Sequence, residues 1–163
     1  MKDVLVITNF NLSGYLSIYG GSIMNDLFEY SLKTYKNEEF LDITDLVRKS
    51  LKESQVENGI VTVFCPHTTA GITINENADP DVVSDILQTL DRVFPLSWNY
   101  KHAEGNSHAH IKSSLMGSST SVIIENGKLK LGTWQGIYFT EFDGPRNRKV
   151  YVKIMRSDNA SSR

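Results

Sequence analysis

Residues 133–155, TWQGIYFTEFDGPRNRKVYVKIM, decide the fold because they contain two long stretches with strand character. Aromatic and β-branched residues are frequent in 133–142 and 149–155, and such residues suit a pleated, half-buried surface. The polar segment 143–148 contains a glycine and a proline, which are typical of a turn. We therefore predict two long strands here.

Shorter strands follow from the same pattern on both sides of this stretch. They are predicted at 27–34, 40–43, 60–65, 70–75, 122–125 and 128–131. The first two flank a polar turn at 36–39, so we predict that they form a hairpin. Asn126-Gly127 is a strong turn pair and predicts a tight hairpin between the last two.

Two helices are predicted between the strands. Thr44 or Asp45 can cap the first, which runs to about Gln55. The second has Asp79 as its N-cap and Pro80 at its first position, and Pro95 closes it. Its apolar residues form a stripe that is expected to face a core: Val82, Val83, Ile86, Leu87, Leu90 and Val93. Seven or more strands with two helices predict an α+β domain of mainly antiparallel sheet.

Composition restricts the classes of protein to which the chain can belong. Its 163 residues suit one domain, and 40% hydrophobic with 22% charged residues is ordinary for a globular protein. A net charge of −2 argues against broad nucleic-acid binding. The one cysteine, Cys65, excludes an intrachain disulfide and any CxxC motif. No apolar run approaches the about 20 residues that cross a bilayer, and we expect a cytoplasmic protein without membrane partners.

The first 23 residues form a separate segment. They lack the basic start, apolar centre and small-residue cleavage site of a signal peptide. Gly20 and Gly21 precede Met24, and their codons would be purine-rich, as in a ribosome-binding site. We predict that 1–23 are a mis-called or disordered extension, that the domain spans 24–156, and that 157–163 are a polar tail. The alternative is that 1–23 contain a genuine extra strand.

Residues 102–114, HAEGNSHAHIKSS, hold three of the four histidines together with Glu104 and Lys112. Neutral imidazole is the commonest metal ligand and a ready proton carrier near neutral pH. On an extended segment His108 and His110, two residues apart, would point to the same face. The fourth histidine, His67, lies in CPHTTAG. Three histidines and an open position would suit a catalytic zinc-type site; the alternative is a set of solvated loop histidines.

Acidic residues follow His67 along the chain. Glu76, Asp79, Asp81 and Asp85 could supply a carboxylate base or ligands for Mg²⁺, which prefers oxygen. Helix capping and compensation of the helix dipole explain Asp79 well and are an alternative for Asp81. Asp85 lies farther into the helix and is less easily explained in this way.

Basic and aromatic residues supply candidate contacts to a phosphorylated ligand. Lys112, Arg146 and Arg148 could grip phosphate. The alternative is that they are solvated turn charges, which we favour for Arg148. Trp134 and Gln135 lie where a strand begins, and core packing is the default expectation for the tryptophan.

Three longer motifs resemble the YjbQ family, whose members are often labelled secondary thiamine-phosphate synthase enzymes. They are HTTAGITINENADPDVVSD at 67–85, HAEGNSHAHIKSSLMGSS at 102–119 and LGTWQGIYFTEFDGPRNRKV at 131–150. The resemblance runs from about Met24 to Met155 in the family's order and spacing. It implies a compact α+β domain with two antiparallel sheets, assembled as a homotrimer.

The resemblance also implies a set of site residues. The family's motif histidines match His67, His102 and His110, which would hold a divalent metal, Zn²⁺ or Mg²⁺. His108 stands where the family pattern is loose. The resemblance and the residue chemistry together predict Glu104 and Asp85 as catalytic partners of the histidines. The predicted substrate-binding residues are Glu76, Asn77, Lys112, Trp134, Gln135, Glu141 and Arg146.

The activity that the resemblance implies is thiamine phosphate synthesis, in which a pyrimidine diphosphate joins a thiazole phosphate and pyrophosphate leaves. Such a reaction needs cations at the leaving group and flat surfaces for two rings. A three-histidine centre suits water activation better, so a metal-dependent hydrolase of a small phosphorylated or cyclic substrate is an alternative. A non-catalytic trimer that binds a small molecule or a metal is a third.

Overall fold

The computed structural model describes residues 16–19 and 22–157 of the chain. Its helices are α1 (Thr44–Ser54), α2 (Pro80–Val93) and α3 (Ser107–Met116). Its strands are β1 (Leu16–Tyr19), β2 (Ser22–Asn25), β3 (Leu27–Lys33), β4 (Glu39–Asp42), β5 (Gly59–Phe64), β6 (Ala70–Glu76), β7 (Ser119–Glu125), β8 (Lys128–Leu129), β9 (Gln135–Glu141) and β10 (Asn147–Arg156). The predicted α+β class is confirmed.

Two antiparallel sheets form the body of the domain. The larger has the order β3-β10-β5-β7-β8, and the smaller has the order β4-β9-β6. In β10 alternate residues are buried from Arg148 to Ile154, so one face of this strand points into the molecule. The two long strands predicted from 133–155 are therefore confirmed, and each is flanked on both sides by other strands of its sheet.

The hydrophobic core includes residues of both sheets and of α1. Val61, Phe139 and Val152 are fully buried there, and Val47 and Leu51 of α1 belong to the same cluster. Burying a large apolar side chain stabilises the fold by roughly 1.5–3 kcal/mol. The apolar spacing of α1 thus positions this helix as predicted.

The start of α1 differs from the prediction in detail. The carboxylate of Asp42, rather than a side chain at 44 or 45, accepts a hydrogen bond from the backbone N–H of Thr44 at 2.9 Å. The hydroxyl of Thr44 also donates to Asp42 at 2.5 Å and accepts from the backbone N–H of Ile137 at 2.8 Å. The side chain of Thr44 therefore joins the helix to β9.

The predicted hairpin between 27–34 and 40–43 is wrong. β3 pairs with β10, and β4 pairs with β9, so the two strands belong to different sheets. The backbone N–H groups of Tyr35 and Lys36 donate to the carboxylate of Glu39, and Thr34 N–H donates to the carbonyl of Arg146 at 2.9 Å. These bonds fix the segment 34–39, through which the chain passes from the larger sheet to the smaller one. The hairpin at Asn126-Gly127 is confirmed, with both residues at positive φ.

Helix α2 has the predicted ends but not the predicted burial. Asp79 accepts from the N–H of Asp81 at 2.9 Å, and Pro80 is the first helical residue. None of its residues is buried by the described part of the chain, and Val93 is exposed. Within one chain, the stripe thus packs only in part against other elements.

A third helix, α3, was not predicted. The segment 107–116 lacks an apolar stripe, and its buried residues are mostly small or polar: His108, Ala109, Lys112 and Ser113. The hydroxyl of Ser113 donates to the carbonyl of Thr68 at 2.5 Å, and Met116 lies against Gly71. Tertiary contacts therefore stabilise a helix that hydrophobic periodicity does not indicate.

The N-terminal and C-terminal predictions fall largely outside the described residues. Within the described part, the backbone of β1 pairs with that of β2. Residues 1–15, 20–21 and 158–163 lie outside it. The translation start at Met24 therefore stays a prediction. No helix in the described part of the chain has the length and apolarity needed to span a membrane.

Candidate functional site

The centre of the candidate site is a pair of histidines at the start of α3. His102 precedes the helix and His110 lies in its first turns, and their rings meet edge to face with centroids 5.4 Å apart. The carboxylate of Glu104 lies 3.7 Å from Nε2 of His102. His102 and Glu104 are both exposed. The predicted proximity of His102, Glu104 and His110 is therefore present.

His67 lies elsewhere, in the loop between β5 and β6. Its Nε2 accepts a hydrogen bond from the backbone N–H of Lys149 at 2.8 Å. Burial lowers the pKa of His67, and the nearby charge of Arg148 lowers it further. No three His, Cys, Asp or Glu side chains converge as a metal cluster among the residues that the structure describes. The three predicted metal ligands are thus not brought together within this part of one chain.

Lys112 is not an open phosphate ligand, contrary to the prediction. Its side chain is 0% exposed, and its Nζ lies 2.6 Å from Glu38 and 2.5 Å from Asp91. A buried ammonium requires such partners because an unpaired charge inside a protein costs several kcal/mol. Lys112 therefore ties α3 to α2 and to the β3–β4 connection.

Glu141, predicted to bind substrate, instead forms a buried ion pair. Its two carboxylate oxygens accept from Nε and Nη2 of Arg148 at 2.7 and 2.5 Å. The prediction that Arg148 is a solvated turn charge is wrong, because its side chain is 7% exposed. Arg148 alternates with the apolar residues of β10 and points inward, as the strand period requires.

Arg146 is exposed, which fits both a contact to a ligand and a solvated turn charge. Its Nη2 lies 2.7 Å from Asp143, whose same oxygen accepts from the amide of Asn106 at 3.1 Å. Asn106 is the residue before α3 and makes no side-chain cap to the helix. Arg146 is therefore connected, through Asp143, to the N-terminal end of the helix that contains His110.

Four of the remaining predicted residues lie at the end of the smaller sheet opposite Glu141: Glu76, Asn77, Trp134 and Gln135. Glu76 pairs with Gln135, and the backbone N–H of Asn77 donates to the carbonyl of Trp134 at 2.9 Å. Trp134 is 62% exposed, so it is not a core residue of the single chain. Gln135 and Glu141 are at opposite ends of β9, about 20 Å apart along an extended strand. Asp85 is exposed on α2.

Sequence reasoning missed a second polar cluster at the other side of α3. His108, which the motif comparison set aside, is buried 4.0 Å from Glu38. Glu38 and Asp91 were not singled out because no local pattern marks them. Their partner Lys112 lies 74 and 21 residues away along the chain.

Comparison with known proteins places this fold and these motifs in one family. The model of the family described as UPF0047 protein YjbQ-like matches residues 28–157. The UPF0047 protein MJ1081 of Methanocaldococcus jannaschii is 56% identical over 133 residues, covering 82% of this chain and 96% of that protein. The UPF0047 protein YugU of Bacillus subtilis is 56% identical over 127 residues, covering 76% and 95%.

Solved structures agree with this assignment. A YjbQ/UPF0047 family protein of Clostridium acetobutylicum is 73% identical, with a TM-score of 0.78 and coverage of 78% of this chain and 99% of that one. A protein of unknown function from Sulfolobus solfataricus is 34% identical, with a TM-score of 0.77 and coverage of 80% and 96%. The chain therefore belongs to the YjbQ-like UPF0047 family.

Proposed function

We propose that the protein is an enzyme that acts on a small phosphorylated molecule at the His102–His110 pair. The specific reaction that we propose is thiamine-phosphate-synthase-like transfer, in which the pyrimidine of a pyrimidine diphosphate forms a bond to a thiazole phosphate while its bond to the diphosphate breaks and pyrophosphate is released. The observation that carries the proposal is the packing of the two rings, with centroids 5.4 Å apart, at the N-terminal end of α3.

Phosphate recognition is supported by the surroundings of the pair. The N-terminal end of a helix attracts anions because its first N–H groups lack helical partners. Arg146 adds a cation that is connected to this end through Asp143 and Asn106. In the proposed reaction Arg146 and the helix end bind phosphate oxygens, while His102, beside Glu104, exchanges a proton with the reacting group.

A divalent metal is part of the proposal, and His102 and His110 would supply two of its ligands. Two imidazoles bound to one tetrahedral ion place their centroids roughly 5 Å apart, close to the separation between these two rings. When bound, a divalent ion would supply charge neutralisation for the leaving pyrophosphate. The third predicted ligand, His67, does not join the pair within the described part of one chain. We propose that it comes from a second copy.

The proposed assembly is a homotrimer. Two features support it: the apolar stripe of α2 is not buried in the single chain, and the predicted substrate residues lie at opposite ends of the smaller sheet. A neighbouring copy could cover the stripe and bring Trp134 of one chain toward His110 of the next. Sedimentation is expected to give three times the chain mass, and Leu87→Glu is expected to lower it. A monomeric wild type would contradict this assembly.

Elemental analysis with a coupling assay tests the proposal. Near-stoichiometric metal is expected in the wild type and is expected to be lost in His102→Ala, His110→Ala and His67→Ala. Lys130→Ala, an exposed surface change, serves as the control. Pyrophosphate release is expected to require both the pyrimidine diphosphate and the thiazole phosphate. Folded variants that keep both metal and turnover would refute the assignment.

A hydrolase is the second candidate, and the state of Lys112 and Glu141 favours it. Both side chains are held in buried ion pairs, so the ammonium of Lys112 is not free to bind a departing pyrophosphate and the carboxylate of Glu141 is not free to hold a cation beside it. Hydrolysis needs a base that activates water, and His102 beside Glu104 would supply it. Phosphate release that does not depend on the thiazole phosphate would favour this candidate. Binding of the substrates without turnover would favour a non-catalytic protein.

A further inference from the structure

A separate cleft opens on the side of α3 away from His110. Residues two apart on a helix are about 200° apart around its axis, so His108 and His110 point in nearly opposite directions. The cleft has a volume of about 450 Å³, which is within the usual range for small-molecule sites. Its walls come from four segments of the chain: Lys36, Asn37, Glu38, Asp91, Pro95, Leu96 and His108.

Polar atoms in this cleft lack partners in the part of the chain that the structure describes. His108 is 3% exposed, yet neither of its ring nitrogens has a hydrogen-bond partner. Oε2 of Glu38 is likewise buried and unpaired. A buried polar atom without a partner costs about 1–3 kcal/mol, and such atoms are rare in folded proteins. A bound molecule with hydrogen-bond donors would remove this cost.

The polar atoms of the cleft favour a hydrogen-bond donor over an anion. Lys36 and the buried Lys112 offset the carboxylates of Glu38 and Asp91, so these four charges sum to zero. The unpaired atoms are a carboxylate oxygen and an imidazole, which can accept a hydrogen bond through one nitrogen. No three metal-ligating side chains converge here or elsewhere in the described residues. An ammonium group needs only acceptors.

The spacing of His108 and Glu38 fits a single bridging atom. Nε2 of His108 lies 4.0 Å from Oε1 of Glu38, too far for a direct hydrogen bond. This oxygen accepts from Lys112 and, as a carboxylate oxygen, can accept a second hydrogen bond. Two hydrogen bonds of about 2.9 Å that meet at one atom span roughly 4–5 Å. Pro95 and Leu96 provide apolar surface beside this point.

We propose that the cleft binds a small aliphatic primary amine, with its ammonium nitrogen between His108 and Glu38 and its alkyl chain on Pro95 and Leu96. The amine nitrogen donates to Nε2 of the imidazole and to the carboxylate. The site lies across α3 from the histidine pair, so it does not depend on the proposed enzyme activity.

Calorimetric titration with n-butylamine tests the proposal, with n-butanol as the uncharged probe of the same shape. Butylamine is expected to bind with one site per chain at pH 7.5 and more tightly than butanol. His108→Leu is expected to weaken it roughly ten- to a hundredfold, because a hydrogen bond to a charged group is lost. Glu125→Gln, which removes an exposed carboxylate, is expected to leave binding unchanged.

The ring nitrogens of His108, followed by ¹⁵N NMR, locate the probe. Butylamine is expected to shift the His108 signals and to leave those of His102 in place. Absence of binding at millimolar butylamine would mean that water alone fills the cleft and would overturn the proposal. Equal binding of butanol, or undiminished binding to folded His108→Leu, would overturn it as well.

Discussion

Replacement of Arg148 by methionine is expected to destabilise the fold severely. Arg148→Met keeps the length of the side chain but removes the guanidinium that faces Glu141, a residue that is 0% exposed. Removing one partner of a buried ion pair typically costs about 3–5 kcal/mol, because the other charge stays buried and unpaired. Here the lower end applies, because Glu141 also accepts from Thr34, from the N–H of Phe142 and from the N–H of Asp143.

Urea unfolding at one fixed protein concentration measures this cost. A loss of about 3 kcal/mol lowers the midpoint by roughly 1.5 M when the denaturant slope is about 2 kcal/mol per molar. The matched control is Lys130→Met, which breaks the exposed pair with Glu125 and is expected to cost at most about 1 kcal/mol. The double variant Glu141→Gln/Arg148→Met is expected to recover much of the loss, since no charge is then buried without a partner.

The measured urea midpoints test whether the Arg148–Glu141 pair stabilises the fold as described. A midpoint that falls no further in Arg148→Met than in Lys130→Met would show that the Arg148–Glu141 pair contributes no more than a surface pair. A double variant less stable than Arg148→Met would show that the unpaired carboxylate is not the source of the loss. Either result would refute the structural role assigned to Arg148.

Two further measurements test the packing at the two ends of β5: the stability of Gly59→Ala and the reactivity of Cys65. Gly59→Ala is expected to cost about 3 kcal/mol in urea unfolding, because an added Cβ would lie 2.0 Å from the carbonyl oxygen of Met155 on the paired strand. Gly132→Ala, where the nearest atom is a side-chain oxygen at 3.4 Å, is the control that should cost far less. Burial raises the pKa of Cys65 to about 11, so iodoacetamide at pH 8 should react at least roughly a hundredfold more slowly with the native than with the unfolded protein. Equal rates would contradict the buried position.

The sheet framework could be predicted because local pattern and tertiary environment agree there. Alternation in 149–155 places Val150, Val152 and Ile154 on the buried face, and Asn126-Gly127 supplies the turn that its residue types favour. The pairing of β3 and β4 could not be predicted in this way. Their short connection resembles a hairpin, but their partners β10 and β9 come from far along the chain.

Part of the candidate site could also be predicted. His102, Glu104 and His110 are close in sequence, and their proximity follows from the chain itself. The environments of Lys112 and Arg148 could not be predicted, because their partners are distant residues of opposite charge. A charged residue in a polar stretch is usually solvated, and only the assembled fold shows that these two are buried.

The helical state of 107–116 changes the chemistry expected from its histidines. An extended segment would place His108 and His110 on one face and make them candidates for one site. The helix separates them and instead places His108 beside Lys112, one turn later. One side of α3 then presents an imidazole toward His102, and the other presents an imidazole to Glu38. Three histidines within nine residues therefore mark two places of distinct chemistry, so a loss of metal in His110→Ala and a loss of amine binding in His108→Leu are expected to occur independently.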